Sequence, residues 1–241
     1  MVSYPLSIEA QFQRMNRFIN FIKWPVAFLM LWSFPGTVML LGHFIVTQEY
    51  TFQNFPPIVI GFLSYMLLWS LLFRRQAFGS YLSTLEHECT HGLFAILTGH
   101  TVRAMKVTSR NGGQIAYSGG EGNWLIVIAP YFFPTVTFIL LLIRLFIQPN
   151  YWFEIGVGVS IGFHLGSTFY ETHSGQTDLQ KVGKFFSFCF LPAANFLTYT
   201  YIATYLRSGW QGTWDATVYL FSSVSAYSVS AYHYIYSLFG Q

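Results

Sequence analysis

Charged residues are scarce in this sequence. Only 9% of its 241 residues are Asp, Glu, Lys or Arg, whereas 53% are hydrophobic and 20% are aromatic. A water-soluble globule of this length needs many more polar side chains to cover its surface. The composition therefore excludes an ordinary soluble domain and predicts a protein whose main solvent is lipid.

Positive charge and cysteine are scarce as well. The formal net charge is only +3, and no basic stripe or nucleic-acid-binding motif is present, so we expect no nucleic-acid partner. Two cysteines cannot form a framework of several disulfides, which excludes a disulfide-rich secreted fold. The sequence also lacks a phosphate-binding loop and a dinucleotide-binding fingerprint.

Long apolar segments follow one another along the chain. A bilayer core about 30 Å thick needs roughly 20 apolar residues per helix. We therefore predict an all-α polytopic membrane protein with about six transmembrane helices, and residues 1–241 are predicted to form a single membrane domain. The predicted helices lie near residues 24–46, 58–74, 78–98, 123–147, 153–170 and 185–206, with a seventh candidate near 217–239.

Basic residues flank the first two apolar segments. Three of them lie in residues 1–23, before the first segment, and Arg74 and Arg75 follow the second. Because cytoplasmic loops of membrane proteins carry an excess of Lys and Arg, both groups are predicted to face the cytoplasm. Residues 1–23 are then an N-terminal cytoplasmic segment, and the host membrane is predicted to be the plasma membrane.

One short segment has β character. Residues 102–108 and 114–118 are β-prone and flank the sequence Arg110-Asn-Gly-Gly113. Asn-Gly between such runs predicts a β-hairpin with a type I′ turn, because both central positions of that turn need positive φ. An open sheet edge cannot face lipid, so the hairpin is predicted to lie at the surface or in a protein-lined cavity.

The side of the membrane that carries this hairpin is open. Arg103, Lys106 and Arg110 favour the cytoplasm, whereas three preceding crossings would place the hairpin outside. A third apolar segment that enters the membrane without fully crossing it would remove the conflict.

Two histidines and a glutamate in the third apolar segment are spaced for metal binding. In His87-Glu-Cys-Thr-His91 the two histidines project from one face of a helix, about a turn apart, and can hold one zinc ion. Glu88 is adjacent to that face and can accept a proton from zinc-activated water. Ionisable groups at membrane depth are costly, which favours a functional role. The alternative is a cluster of hydrogen-bonded polar residues between packed helices.

A hydrolytic zinc site also needs a third protein ligand. The candidates in the later part of the chain are His164, Glu171, His173 and Asp178. We choose Asp178. The sequence Thr177-Asp-Leu-Gln180 also has the form of a capping box at a helix start, and capping does not exclude ligation.

The sequence from His87 to Gly99 resembles the site-2 protease family of intramembrane zinc metallopeptidases, in particular its compact branch without a PDZ domain. A glycine-bearing hairpin and an apolar helix with Ala129-Pro130 follow it, as in that family. The resemblance covers about residues 80–180, and residues 78–180 are expected to form the catalytic core.

This resemblance implies a role for four residues. His87 and His91 become zinc ligands, Glu88 the general base and Asp178 the third ligand. Better-known members carry an Asn-Pro-x-x-Asp-Gly-like sequence at the third ligand, whereas Gly175-Gln-Thr-Asp-Leu179 lacks both the proline and the following glycine.

The sequence thus predicts a zinc metalloendopeptidase that hydrolyses peptide bonds in or near transmembrane segments of other membrane proteins. Its expected cofactor is Zn²⁺, and its expected partners are a transmembrane protein substrate and the lipid bilayer. One alternative is a membrane gluzincin that uses Glu171 as the third zinc ligand. Another is a non-catalytic transporter or assembly protein, although the chain lacks the internal repeat of many transporters.

Overall fold

The protein is mostly helical and contains one small antiparallel sheet. This confirms the prediction of a helical protein with a β-hairpin after the helix that carries His87 and His91. The computed structural model describes residues 6–46, 55–71, 77–108, 112–120, 122–173 and 175–239.

The helices and strands are numbered in chain order. The first four helices are α1 (Leu6–Phe21), α2 (Lys23–Val46), α3 (Phe55–Leu71) and α4 (Ala77–Leu97). The two strands are β1 (Val102–Val107) and β2 (Gly113–Tyr117). The remaining helices are α5 (Trp124–Ile128), a 3₁₀ turn (Ala129–Tyr131), α6 (Thr135–Arg144), α7 (Tyr151–Glu171), α8 (Thr177–Val182) and α9 (Lys184–Phe239).

The chain divides into two compact units. The first unit comprises Met1–Trp24 and Phe55–Ser187, and it contains every predicted site residue. The second unit comprises Pro25–Asn54 and Phe188–Gln241. The prediction of a single membrane domain stays a prediction.

Two helices of the first unit, α3 and α7, pack at unusually close range through glycine. A Cβ atom on Gly158 would lie 2.0 Å from the carbonyl oxygen of Ile58, and one on Gly61 would lie 2.1 Å from that of Ile155. Only glycine allows two helix backbones to approach so closely, which is the packing mode of many membrane helices. This contact supports α7, the helix that ends at Glu171.

The segment near residues 123–147 was predicted as one helix, and that prediction is wrong. The chain forms α5, a 3₁₀ turn and α6, and the helix axis bends by 80° at the break. Pro130 lies in the turn, and Pro134 is the N-cap residue of α6. Proline has no backbone N–H and clashes with the preceding helical turn, so it ends one helix and starts the next.

The second unit is built from α2 and most of α9. Leu40 of α2 packs in a buried cluster with Ala216 and Leu220 of α9, and the indole of Trp32 donates a 2.9 Å hydrogen bond to the hydroxyl of Ser228. The helices predicted near 185–206 and 217–239 are parts of α9. They are separated by a kink at Ser208 and Gly209, where Gly209 has a φ of 59°.

Apolar helices indicate an integral membrane protein. Within the described ranges, α2 and α9 are long and apolar enough to cross a bilayer, and the bent pair α5–α6 would add a third span. Helix α3 is apolar but has only 17 residues. Helices α4 and α7 have 21 residues each but carry the polar side chains of the candidate site. The prediction of about six transmembrane helices therefore stays a prediction.

The hairpin is confirmed by the antiparallel pairing of β1 with β2. Val107 pairs with Gly113, and the N–H of Thr108 donates to the carbonyl of Gly112 at 3.0 Å. The turn predicted at Asn111-Gly112 includes a residue outside the described ranges, so it stays a prediction. Gly112 does have a positive φ of 72°, and residues 109–111 lie outside the described residues.

Candidate metal centre

Three potential metal ligands from two separate helices converge in the first unit. His87 and His91 lie on α4, and Asp178 lies in the first turn of α8. One ligand atom from each lies within 4.8 Å of the other two. The Nε2 atoms of His87 and His91 are each 3.3 Å from Oδ2 of Asp178. Two imidazole nitrogens and one carboxylate oxygen are a donor set of catalytic zinc sites, so these residues fit a metal ion.

Helix α4 presents the two histidines as their spacing predicts. The rings lie on one helix face, with their centroids 4.7 Å apart and their planes at 79°. Thr90, on the adjacent part of the helix, is fully buried and hydrogen-bonds to Thr135 at the start of α6. This contact ties the histidine-bearing part of α4 to the broken helix that follows the hairpin.

Asp178 lies in the first turn of α8, where the helix dipole favours a carboxylate. Helix α8 begins at Thr177, and its N-cap residue is Gln176, which makes no side-chain hydrogen bond to the helix. The N-cap residue therefore differs from Thr177, the residue that the capping-box pattern Thr177-Asp-Leu-Gln180 places there. Asp178 follows the first residue of α8, so its carboxylate is directed by the helix start and faces the two histidines.

The second ring nitrogen of each histidine has its own acceptor. His87 Nδ1 lies 2.9 Å from Oε2 of Glu171, and His91 Nδ1 lies 2.7 Å from the carbonyl oxygen of Ile126. A carbonyl oxygen can only accept, and an ionised carboxylate can only accept as well. Each Nδ1 contact is shorter than the 3.3 Å contact of the same ring's Nε2 with Asp178, which favours the hydrogen of each neutral ring on Nδ1 and leaves both Nε2 lone pairs for a metal.

The remaining ligand candidates lie elsewhere around the site. Glu171 is close to His87 but faces Nδ1, not the cluster of Nε2 atoms. His164 is buried on α7, with Nδ1 3.5 Å from Oε2 of Glu86. His173 is exposed and accepts a hydrogen bond from the N–H of Gly175 at 3.2 Å. Neither His164 nor His173 joins the group of three ligands.

Glu88 lies against the hairpin. It is only 6% exposed, and a Cβ atom on Gly113 would lie 2.4 Å from its Cγ and 2.6 Å from its Oε1. Strand β2 therefore needs glycine at its first residue so that the Glu88 side chain can lie on the strand backbone. The carboxylate is held beside the two histidines, within the same cavity wall.

An open cavity of about 800 Å³ leads to these residues. His87, Glu88, His91 and Asp178 all line it, and so do residues 112–117, which include all of β2. The cavity is large enough for a segment of polypeptide, and one of its walls is a strand.

Sequence reasoning missed two residues of the site, one that contacts the ligands and one that contacts Glu171. The ring of Tyr131 meets that of His87 edge to face at 5.3 Å, and its hydroxyl is 3.5 Å from Oδ2 of Asp178. The hydroxyl of Ser83 donates to Oε1 of Glu171. Ser83 precedes His87 by four residues, so the spacing along α4 offered a signal, whereas the position of Tyr131 follows from the helix break.

Comparison with known proteins identifies a family to which part of the chain is similar. Residues 79–174 match a family model described as Peptidase M50B-like, which represents the site-2 protease family. The matched segment includes His87, Glu88 and His91 and ends just before Asp178. No curated protein and no solved structure matches the chain. The match confirms the resemblance found in the sequence, and the branch without a PDZ domain stays a prediction.

Proposed function

Since residues 79–174 match the family model of the site-2 proteases, we propose that this protein is an intramembrane zinc endopeptidase. The proposal is carried by the convergence of His87 Nε2, His91 Nε2 and Asp178 Oδ2. Its proposed substrates are transmembrane proteins, cut in or near their membrane-spanning segments.

The three ligands would bind the metal, and Glu88 would transfer protons. His87, His91 and Asp178 would hold Zn²⁺, which supplies Lewis acidity that polarises a peptide carbonyl and lowers the pKa of water. Glu88 would accept the proton of the attacking water at its carboxylate and pass it to the leaving amine. The contact of Glu88 with Gly113 supports this role, because it holds the carboxylate beside the ligands.

Two observations favour Asp178 over Glu171 as the third ligand. Oδ2 of Asp178 lies at equal distances from both Nε2 atoms, where a shared metal ion would bind. The Glu171 carboxylate lies at Nδ1, on a different edge of the His87 ring. A gluzincin arrangement would require His87 to turn its other nitrogen toward His91.

The cavity supports a peptide as substrate. In an antiparallel ladder, backbone groups point alternately toward and away from the partner strand. Thr108 and Gly112 are hydrogen-bonded to each other, so the backbone groups of Gly112 point toward β1. The backbone groups of Gly113 and Ile115, at alternate positions, therefore point away from β1 and toward the outer edge of β2. An unfolded segment of a substrate helix needs new partners for its backbone groups, and such an edge provides them.

A metal-content and cleavage experiment tests the proposal. We expect wild-type protein, purified in detergent without chelator, to hold about one zinc per chain. Glu88→Gln should retain the zinc and lose cleavage of a transmembrane peptide by 100-fold or more, because an amide cannot accept the proton, with a loss of about 10²–10⁴-fold typical of a missing general base. Asp178→Asn should lose most of the zinc, since a neutral amide ligates zinc poorly.

The matched control is Asp215→Asn, which makes the same chemical change at an exposed position of α9. It should retain wild-type zinc and cleavage. Wild-type protein that neither holds nor rebinds zinc would contradict the proposal. Full zinc content and turnover in Asp178→Asn would remove Asp178 from the ligand set.

A further inference from the structure

Glu171 and Ser83 form a hydrogen-bonded chain behind the His87 ring. Oε2 of Glu171 is 2.9 Å from His87 Nδ1, and Oε1 accepts a hydrogen bond from the Ser83 hydroxyl. We propose that Glu171 is a positioning residue that fixes the tautomer and orientation of His87 for metal binding, and that Ser83 holds Glu171 in place. This inference rests on the proposed function, because it takes His87 as a metal ligand.

The tautomer follows from the chemistry of the carboxylate. Both ring nitrogens of His87 face carboxylates that have no hydrogen to donate, and the contact of Nδ1 with Glu171, at 2.9 Å, is shorter than that of Nε2 with Asp178, at 3.3 Å. The shorter contact favours the hydrogen of a neutral His87 ring on Nδ1. Nε2 then has a free lone pair, and this is the atom that faces Oδ2 of Asp178 at 3.3 Å. The negative charge at Nδ1 also makes the imidazole a stronger electron-pair donor, which strengthens its bond to a metal.

The two histidines differ in the group that faces Nδ1. His91 Nδ1 meets a neutral backbone carbonyl, that of Ile126, whereas His87 Nδ1 meets a carboxylate. Substitution of a side chain cannot remove the partner of His91, but it can remove the partner of His87. A change at Glu171 therefore acts on one ligand and leaves the other in place.

The position of Glu171 in its helix also points to a functional role. It is the last residue of α7, where the negative end of the helix dipole makes a carboxylate unfavourable. Its side chain is 23% exposed, so water only partly compensates for this charge. The hydrogen bonds to His87 and Ser83 explain why a carboxylate is stable there.

Zinc affinity and the spectrum of bound cobalt test the inference. Affinity is measured by competition with a chromogenic chelator, and Co²⁺ reports ligand geometry through its visible absorption. We expect Glu171→Ala to weaken zinc binding by about 10–100-fold and to change the cobalt spectrum. Glu171→Gln should lose less, because its amide oxygen still accepts the Nδ1 hydrogen without carrying charge. Ser83→Ala should have the smallest effect of the three.

The outcomes separate this inference from the proposed function. Wild-type protein that binds neither metal refutes the proposed function, and with it the role of Glu171. Zinc bound by wild type, with unchanged affinity and spectrum in Glu171→Ala, overturns the positioning role alone. Complete loss of zinc in Glu171→Ala, together with retention in Asp178→Asn, makes Glu171 a ligand instead. If Glu171→Ala does not fold, the nearly isosteric Glu171→Gln decides by the same measurements.

Discussion

Each histidine of the HExxH sequence uses its two ring nitrogens in different ways. Nε2 faces Asp178, while Nδ1 is held by Glu171 in one ring and by the carbonyl of Ile126 in the other. The spacing of the histidines predicts a shared helix face, because that property is local to one helix. The spacing cannot tell which carboxylate faces which nitrogen, because this depends on the packing of α7 and α8 around α4.

The close contact between Gly113 and Glu88 leads to a prediction about catalysis. The Gly113→Ala variant would place a methyl group 2.4 Å from Cγ of Glu88, so the Glu88 side chain must move. Since geometry controls proton transfer, we expect kcat to fall at least 10-fold while zinc content stays near wild type. Peptide cleavage and metal analysis of the same preparation measure both.

The control for this prediction is Gly42→Ala in α2, where a Cβ atom would meet nothing within 4 Å. It should retain wild-type kcat. An unchanged kcat in Gly113→Ala would show that the contact with the hairpin does not position Glu88.

At the scale of helices and strands, the sequence locates apolar segments better than it predicts bends within them. Hydropathy places α2 closely and detects the apolar segment near 123–147, but it does not detect the 80° bend there. The bend is stabilised by a long-range contact, in which Glu86 of α4 accepts a 3.2 Å hydrogen bond from the N–H of Val136. Pro130 and Pro134 mark the place in the sequence, but the partner of the freed backbone group comes from another helix.

The crossing of α3 and α7 supports a prediction on stability. In Gly158→Ala the new methyl group would meet the carbonyl of Ile58 at 2.0 Å, so the two helices must separate. Overpacking of this kind typically costs about 1–3 kcal/mol, and we expect that loss in the free energy of unfolding. Unfolding monitored by circular dichroism in detergent micelles measures it.

Helix α7 contains its own control for this experiment. A Cβ atom on Gly156 would meet nothing within 4 Å, so Gly156→Ala should be neutral or stabilise the helix by up to about 1 kcal/mol. Equal stability of the two variants would contradict the close glycine-mediated crossing. The spacing of Gly158, Gly162 and Gly166 by four residues is a sequence signal for such a crossing.

At the scale of the whole chain, the contacts of α1 bear on membrane topology. Asn16 of α1 donates to the carbonyl of Gly119 at 3.3 Å and accepts from the side chain of Asn123 at 3.0 Å. Asn20 accepts from the N–H of Trp124. From these contacts we expect helix α1 and the segment after β2 to lie at one side of the membrane, which requires the chain between them to cross an even number of times.

An even number of crossings would resolve the conflict found in the sequence. The described residues between α1 and the hairpin form three apolar helices, α2, α3 and α4, so an even number requires that at least one of them does not fully cross. Helix α4 is the best candidate, because it carries the polar residues of the metal centre and is not among the described helices that are apolar enough to span. A helix that enters without crossing would admit water to His87 and His91 from the side that carries α1.

Cysteine labelling tests this arrangement. We expect Gln13→Cys in α1 and Lys106→Cys in β1, both at exposed positions, to react with a membrane-impermeant maleimide from the same side of sealed, oriented vesicles. Each variant is made in a background in which Cys89 and Cys189 are replaced by serine. The positive-inside rule predicts that this side is the cytoplasm. As the control, both residues should be labelled in vesicles opened with detergent. Labelling from opposite sides in sealed vesicles would contradict an even number of crossings, and α4 would then count as a full transmembrane helix.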